Sequence, residues 1–473
     1  MSVLDDPIPP PWETGTMVVL PSLSFPESEL AKITAIDHYE ERLLCTVLLL
    51  DRPDVRVVYL TSRPIDPAVV DYHLGFLADP VAARARLHLV TVDEAGPRPL
   101  TQKLLEHPEV LARIRDLLPG DGRAALLPFN VTAGEWALAA ALGLPLDGPP
   151  LDRVALGSKT GSRRVARHAG VAVLEGDEAL FSVEELASAV ERLRAAGGTR
   201  SAVVKLNDGF SGQGNALVEL AGPTRPLAAM PTTFCAGGES WPTFGPKIAA
   251  EGAIVEELLA SPLASPSVQL RISPVGEVRV VSTHDQILGG PGNQVYLGCR
   301  FPAYPAYRSV ISRAALAVGE VLAGEGVIGP LGIDFLVAGD HDAPAVFLSE
   351  INLRMGGTTH PFWMARLATA GRYDPDRDEL MVGGRPRCYV ATDNLRHPGL
   401  VGCPPAAVIA AVVGAGLAFD RATGTGVTLH LLGALAQHGK MGATCIAEHP
   451  AAAEERFAEL SAVLADVGPG GRR

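Results

Sequence analysis

The sequence predicts an α/β protein with α+β elements: a Rossmann-like N-terminal domain followed by smaller α+β units. Three observations carry this. Over the first 150 residues, apolar runs alternate with helical stretches, which is the pattern of a parallel sheet. Further along, apolar runs come in pairs joined by turn-rich or glycine-rich segments, which is the pattern of antiparallel hairpins. The chain has 473 residues, more than one hydrophobic core organises, so several domains are expected.

The elements follow in order. Residues 1–15 are Pro-rich and polar and read as a loose arm. "MVVLPSLSF" opens with a strand; Pro26, Glu27 and Glu29 then mark the start of a helix expected to run through "TVLLL". Strands are expected at "VRVVYLTS", "RLHLVTV" and "AALLPFN", and a helix at "GEWALAAALG". "LPLDGPPLDR" marks a boundary near residue 150. A helix over Ser158–Ala169, a strand "VAVLEG", a helix over Val183–Ala196 and the strands "SAVVKLN" and "NALVEL" come next. "CAGGESWPTFGP" reads as an irregular loop, and "AIVEELL" as a strand. "VQLRISP" and "EVRVVST" pair around Gly276, "LGGPGNQ" is a loop, and Ser309–Ala323 is a helix. Toward the end, "GVTLHLLGAL" and "ATCIAE" read as strands, and Phe457, Leu460, Leu464 and Val467 share one face of a final helix.

Composition narrows the function. A net charge of −13 leaves no basic footprint for nucleic acid. The longest apolar stretches fall short of the ~20 residues that span a bilayer, so no membrane is expected. Six scattered cysteines, with no CxxC pair, read as free thiols in a reducing cytoplasm. No basic segment followed by an apolar run opens the chain, so no signal peptide is expected.

Chemistry concentrates in the runs "GPLGIDFLV" and "AVFLSEINLRMGG", joined by the turn-rich "AGDHDAP". In such a hairpin Glu350 and Asn352 share one face, and Asp334 joins them from the partner strand. Two carboxylates and an amide oxygen suit Mg²⁺ or Mn²⁺, which usually complete their shell with substrate phosphates. Arg354 adds a cation suited to phosphate oxygens. A solvent-facing polar stripe would look the same.

"DGFSGQG" lies between two β-type runs, unlike a P-loop or a Rossmann turn, both of which open a helix. Gly209, Phe210, Ser211, Gly212, Gln213 and Gly214 would form a hairpin whose backbone amides approach phosphates. A plain turn is the alternative. Lys205, inside the apolar run "AVVKLN", wants an anionic partner. Lys159 starts a helix and would also suit solvent. Together the two lysines would grip phosphates. "EGAIVEELL" offers Glu256, Glu257 and Leu258 as a purine-binding hinge, or a simple edge strand. Arg271, Arg279 and Arg300 would neutralise a phosphoryl group or hold a carboxylate, where surface arginine is the ordinary state. Thr358, Thr359 and His360 would reach an acceptor substrate or cap a helix.

The order of helix-borne lysine, strand lysine, glycine hairpin, acidic hinge and D…ExNxR resembles the ATP-grasp superfamily over about Leu156–Ala370. "HYEERLL", "VYLTSRPIDPAVVDYHL", "LPFNVTAGEWALAAALG" and "THDQILGGPGNQVYLGCRFPA" extend the likeness to the pheganomycin-type peptide ligases across most of the chain. The resemblance implies a Rossmann-like domain over 16–150, a small ATP-grasp subdomain over 151–260, a large one over 261–374 and a C-terminal substrate-covering region over 375–473. It implies Lys159 and Lys205 on ATP phosphates, Gly209–Gly214 as a lid, and Asp334, Glu350 and Asn352 on Mg²⁺, with two ions. It implies catalytic Arg300 and Arg354, and Arg271 joins them from the residue reading. The implied reaction is carboxylate activation as an acyl phosphate, then attack by an amino acid or peptide amine, with ADP and phosphate released. A homodimer and a place in natural-product biosynthesis are compatible with it. One departure stands: many family members bind the ribose with a glutamate past the hinge, and here "SPLASPSVQL" holds none, leaving Ser265 or Gln269. A small-molecule kinase, or an ATP-binding regulator without catalysis, are the alternatives.

Overall fold

Runs rich in valine and leucine build the first sheet. The computed structural model describes residues 15–209, 214–223, 225–259, 261–293 and 295–467. β1 (Gly15–Leu20), β2 (Val55–Thr61), β3 (Leu87–Thr91) and β4 (Ala124–Pro128) lie in the order β3-β2-β1-β4. Every neighbouring pair is parallel, as the alternation with helices requires. The helix after β4, Ala133–Leu142, starts with a capping box between Thr132 and Glu135. The long helix expected from residue 27 does not form. A single α-turn, Glu27–Leu30, is followed by a 3₁₀ segment, Ile36–Asp51. Ala35 between them sits at φ 66°, a left-handed conformation that interrupts an α-helix. Residues 40–50 are buried on every side, so packing rather than helical propensity sets their form.

The second sheet is small and antiparallel. It runs β5-β9-β6-β7-β8, from β5 (Gly176–Leu180), β6 (Ser201–Leu206), β7 (Asn215–Glu219), β8 (Thr232–Phe234) and β9 (Ala253–Glu257). β5 starts where the expected strand "VAVLEG" ends. The stretch expected to be irregular holds the helix Trp241–Glu251, which buries Phe244 and Ile248 against the sheet. Its two prolines mask the helical pattern, but Pro242 occupies the first turn, where no intrahelical N–H is needed.

The third sheet has ten strands. β10 (Pro266–Ile272), β11 (Val278–Gly289), β12 (Val295–Phe301), β13 (Gly329–Gly339) and β14 (Pro344–Asn352) form one half. β15 (Arg372–Asp374), β16 (Glu379–Val382), β17 (Arg385–Arg396), β18 (Gly426–His430) and β19 (Lys440–Ala447) form the other. β12 pairs with β17, and β17 with β19, so the boundary expected near residue 374 falls inside one continuous sheet. One core joins Leu43, Leu44 and Leu48 of the 3₁₀ segment to Phe362 and Trp363 of the helix Thr359–Thr369 and to Leu429 and Cys445 of the C-terminal strands. The N-terminal and C-terminal regions are therefore packed as one body, and the 3₁₀ segment faces the large sheet.

Candidate active site

The hairpin expected to hold a metal forms, and Asp334 joins Glu350 and Asn352 from the partner strand. β13 and β14 are antiparallel, with Asp334 opposite Glu350 and Gly332 opposite Asn352. The carboxylate of Asp334 accepts from Gln286 Nε2 at 2.8 Å and from Asn352 Nδ2 at 3.1 Å. Burial, and then the negative charge of Glu350, push its carboxyl up to about 6. Burial acts on Glu350 in the same direction, but Lys159 and Arg354 outweigh it and hold that carboxyl below its ordinary range. Two facing carboxylates, one of them reluctant to ionise beside the other, are an oxygen-donor set short of positive charge. Asp334, Glu350 and Asn352 therefore fit a hard divalent cation.

Lys159 and Lys205 reach this hairpin from the helix Lys159–His168 and from β6. The helix Lys159–His168 is capped by Ser158, whose hydroxyl accepts from Gly161 N at 3.0 Å. Its Ser162 hydroxyl accepts from Ile351 N at 2.9 Å, which fixes the helix against β14. Lys159 Nζ then meets Glu350 Oε1 at 2.8 Å and donates to Gly209 O at 2.9 Å. Lys205 Nζ donates to Glu256 Oε1 at 2.6 Å and to Ser349 Oγ at 3.3 Å. Gly209 and Gly214 close the neck of the glycine hairpin: a Cβ on Gly214 would lie 2.9 Å from Gly209 Cα. Phe210, Ser211, Gly212 and Gln213 lie outside the described residues.

Several expected roles change. The Glu256 side chain is not available to orient a purine. It is 1 % exposed and is the counter-ion of both Lys205 and Arg163, the latter through Oε2 at 2.9 Å. Glu257 N and Leu258 N already donate to Glu175 O and Ser201 O, each at 2.9 Å. Arg271 is turned away from the cavity and forks onto Asp147 at 2.8 and 3.0 Å, tying β10 to the loop after the helix Ala133–Leu142. Arg300 is half exposed and pairs with Glu454 of the final helix at 2.5 Å. Neither arginine reaches the metal hairpin. Arg354 does, and lines the cavity with its guanidinium over the Phe25 ring. Thr358 also lines the cavity. Thr359 instead accepts from Gly356 N at 2.9 Å, and His360 is buried against Asp393. Gln269 lines the cavity, whereas Ser265 donates to Phe335 O at 3.4 Å.

The cavity holds about 400 Å³ and is walled by both halves of the large sheet and by the N-terminal domain. Asp334, Glu350, Asn352 and Arg354 line it, as do Lys32, Tyr39, Arg42, Asp393, Arg396 and Lys440. The sequence reading passed over this second group. A weaker signal was present in two cases: Arg42 in "ERLLCTVLLL" and Lys440 in "GKMGATCIA" are cations at the start of apolar runs, whereas Lys205 lies within one.

Fold and site together define an ATP-grasp enzyme, and the comparisons with known proteins agree. Residues 46–144 match the Pre ATP-grasp domain family, 233–375 the IQCH-like ATP-grasp family and 407–460 the PGM1 C-terminal domain family. The chain is 33 % identical over 468 residues to L-propargylglycine–L-glutamate ligase of Streptantibioticus cattleyicolor, covering 96 % of this chain and 95 % of that protein. It is 22 % identical over 380 residues to IQ motif-containing protein H of Danio rerio, covering 68 % of this chain and 35 % of that one. Among solved structures, biotin carboxylase of Campylobacter jejuni superposes with a TM-score of 0.59 at 14 % identity, covering 96 % of this chain and 95 % of the other. The chain belongs to the pheganomycin-type peptide ligases of the ATP-grasp superfamily, and is an ATP-dependent, amide-forming carboxylate–amine ligase.

Proposed function

We propose that this ligase activates a substrate carboxylate as an acyl phosphate at the Asp334–Glu350–Asn352 hairpin and passes it to the amine of an amino acid or peptide, releasing ADP and phosphate. The observation that carries this is the meeting of Lys159 Nζ and Glu350 Oε1 at 2.8 Å, which brings the expected phosphate and metal groups to one point. Lys159 and Lys205 would hold ATP phosphates. Asp334, Glu350 and Asn352 would hold Mg²⁺, one ion or two, which supplies charge neutralisation at the transferring phosphoryl group. Arg354 faces the same end and would stabilise the oxyanions of the acyl phosphate and of the tetrahedral intermediate. Such chemistry depends on positioning and charge more than on side-chain acid–base work, and a site rich in fixed cations suits it.

The named relative joins two amino acids, which supports amino acid substrates and a place in natural-product peptide biosynthesis. Six unpaired cysteines support a cytoplasmic setting. No helix among the described residues is long and apolar enough to cross a membrane. One solved neighbour is described as a domain dimer, and we extend a homodimer to this chain as part of the reading.

The test is product analysis with ATP, Mg²⁺ and a pool of acids, amino acids and short peptides. ADP and phosphate appearing only when acid and amine are both present, with a product lighter than their sum by one water, is the expected outcome. AMP and pyrophosphate would overturn the acyl-phosphate route. Glu350→Gln serves as the control: turnover falls by at least about 100-fold, while folding, read by circular dichroism, holds because the amide oxygen still accepts from Lys159.

A further inference from the structure

The part of the cavity bordered by the N-terminal domain and the C-terminal strands contains charges that the phosphate chemistry does not use. Arg42 is 6 % exposed. Its guanidinium is sandwiched between two rings, 4.4 Å from the centroid of Phe129 and 4.7 Å from that of Tyr39. Nε donates to Tyr39 O at 3.3 Å, but Nη2 is buried with no hydrogen-bond partner among the described residues. A buried guanidinium N–H without an acceptor costs free energy that a ligand oxygen would recover. Lys440 is 2 % exposed and spends one of its three donors on Tyr39 Oη at 2.7 Å.

Asp393 faces these cations. Its Oδ1 accepts from His360 Nε2 at 2.9 Å and His430 Nε2 at 2.7 Å. Its Oδ2 lies 3.9 Å from Arg42 Nη1, beyond hydrogen-bond length. Burial alone would raise its carboxyl, but the two histidines outweigh burial and keep it well below the usual range. Burial lowers His360 to about 4, against the pull of the Asp393 carboxylate. Asp393 is thus a fixed anion, unsuited to act as a base, with one oxygen left facing the cavity. Gly442 makes room for this arrangement: a Cβ there would lie 2.0 Å from His430 Nε2.

We propose that Arg42, Lys440 and Asp393 anchor a free α-amino acid, its α-carboxylate on Arg42 and Lys440 and its α-ammonium on Asp393. This deepens the ligase reading and rests on it: with both α-groups held as ions, the anchored amino acid is the acid partner and reacts through a side-chain carboxylate. Two cations set against one anion complement a carboxylate beside an ammonium, because the carboxylate satisfies the spare donors and the ammonium satisfies Oδ2. The same His360–Asp393–His430 cluster has the ligand types of a metal site. Yet Arg42 and Lys440 border the same carboxylate, so a divalent cation would enter an already positive wall.

The test is equilibrium binding, by calorimetry, of the twenty proteinogenic L-amino acids and L-propargylglycine to the full chain with Mg²⁺ and a non-hydrolysable ATP analogue. The tightest binder is then compared with its α-amide and its N-acetyl derivative. Each derivative is expected to bind at least about tenfold more weakly than the free amino acid. Arg42→Met is expected to erase the preference for the acid over the amide, and Asp393→Asn the preference for the free amine. Arg42→Lys, which keeps the charge, guards against misfolding and should retain part of the acid preference. Equal binding of acid and amide by the wild type overturns the proposal, as does binding of no amino acid in the panel. So does a stoichiometric transition metal that His430→Ala removes. ADP release in the acid-plus-amine pool judges the ligase reading separately. An active enzyme blind to the α-groups sinks the anchor alone; an inactive one that binds free amino acids through Arg42 sinks the ligase alone.

Discussion

Glu256, expected at a purine-binding hinge, is instead the shared counter-ion of two buried cations. Its two oxygens bond Lys205 and Arg163, and all three side chains are buried. Arg163 also donates to Glu178 and to the carbonyls of Leu174 and Gly176, so the pair is braced by further hydrogen bonds. Removing the shared anion would strand the buried Lys205 and leave Arg163 with Glu178 alone, and breaking a buried pair in this way costs about 3–5 kcal/mol. Glu256→Ala is therefore expected to lower stability in urea by about that amount, with Lys205→Met costing less because Arg163 remains to neutralise Glu256. Equal and small losses in the two variants would show that solvent reaches this triad. At this scale the sequence was readable where a residue type was out of place. Lys205 in an apolar strand demanded an anion, and Asp334, Glu350 and Asn352 were legible through the two-residue period of a strand. The partner of Lys205 was not legible, because it lies 51 residues away on another strand. Arg271 and Arg300 misled for the same reason: Asp147 and Glu454 are separated from them by 124 and 154 residues.

Elements place these side chains, and the helix Lys159–His168 depends on one small residue. A Cβ at Gly161 would stand 2.3 Å from Ala155 O and 2.7 Å from Leu156 O, both backbone atoms of the preceding 3₁₀ turn. That turn cannot yield by rotating a side chain, so Gly161→Ala must shift the start of the helix. The expected outcome is a stability loss of about 1–3 kcal/mol. ATP binding should weaken as well, since Lys159 moves with the helix start; calorimetry reads the second effect and thermal unfolding the first. Unchanged ATP affinity would separate Lys159 from the nucleotide. Most strands were legible because their ends carry turn residues and their interiors alternate. The 3₁₀ segment Ile36–Asp51 was not: its pattern is uniformly apolar from Leu43 to Leu50, apart from Cys45 and Thr46, and such a run does not distinguish helix types. That failure concealed the Arg42 side of the cavity, because the segment carries Tyr39 and Arg42 to the wall facing β17 and β19.

At the scale of the whole molecule, the large sheet runs without a break from the Asp334 hairpin to the C-terminal strands, so Glu350 and Asp393 share one scaffold. Two oppositely charged pairs lie along it, Lys159 with Glu350 at 2.8 Å and Arg42 with Asp393 at 3.9 Å. Under the proposed function a ligand would exchange with these partners. At the Asp334 hairpin the proposed exchange would include a proton. Asp334 holds its proton to about 6, above its ordinary 3.8. A carboxyl raised in this way binds the proton more tightly in the folded than in the unfolded chain. Its contribution to stability is complete below the unfolded value and is lost as pH rises through the folded one. A cation at Asp334 needs the carboxylate, so below that folded value it must displace the proton. Stabilisation by Mg²⁺ is therefore expected to be small at about pH 5 and to grow to about pH 7.5, with affinity rising about tenfold per pH unit on the acid side. Thermal unfolding with and without Mg²⁺ across this range measures it. Asp334→Asn, which has no proton to lose, should flatten the profile while weakening the ion. A Mg²⁺ shift in the wild type that is constant with pH would place the ion away from Asp334.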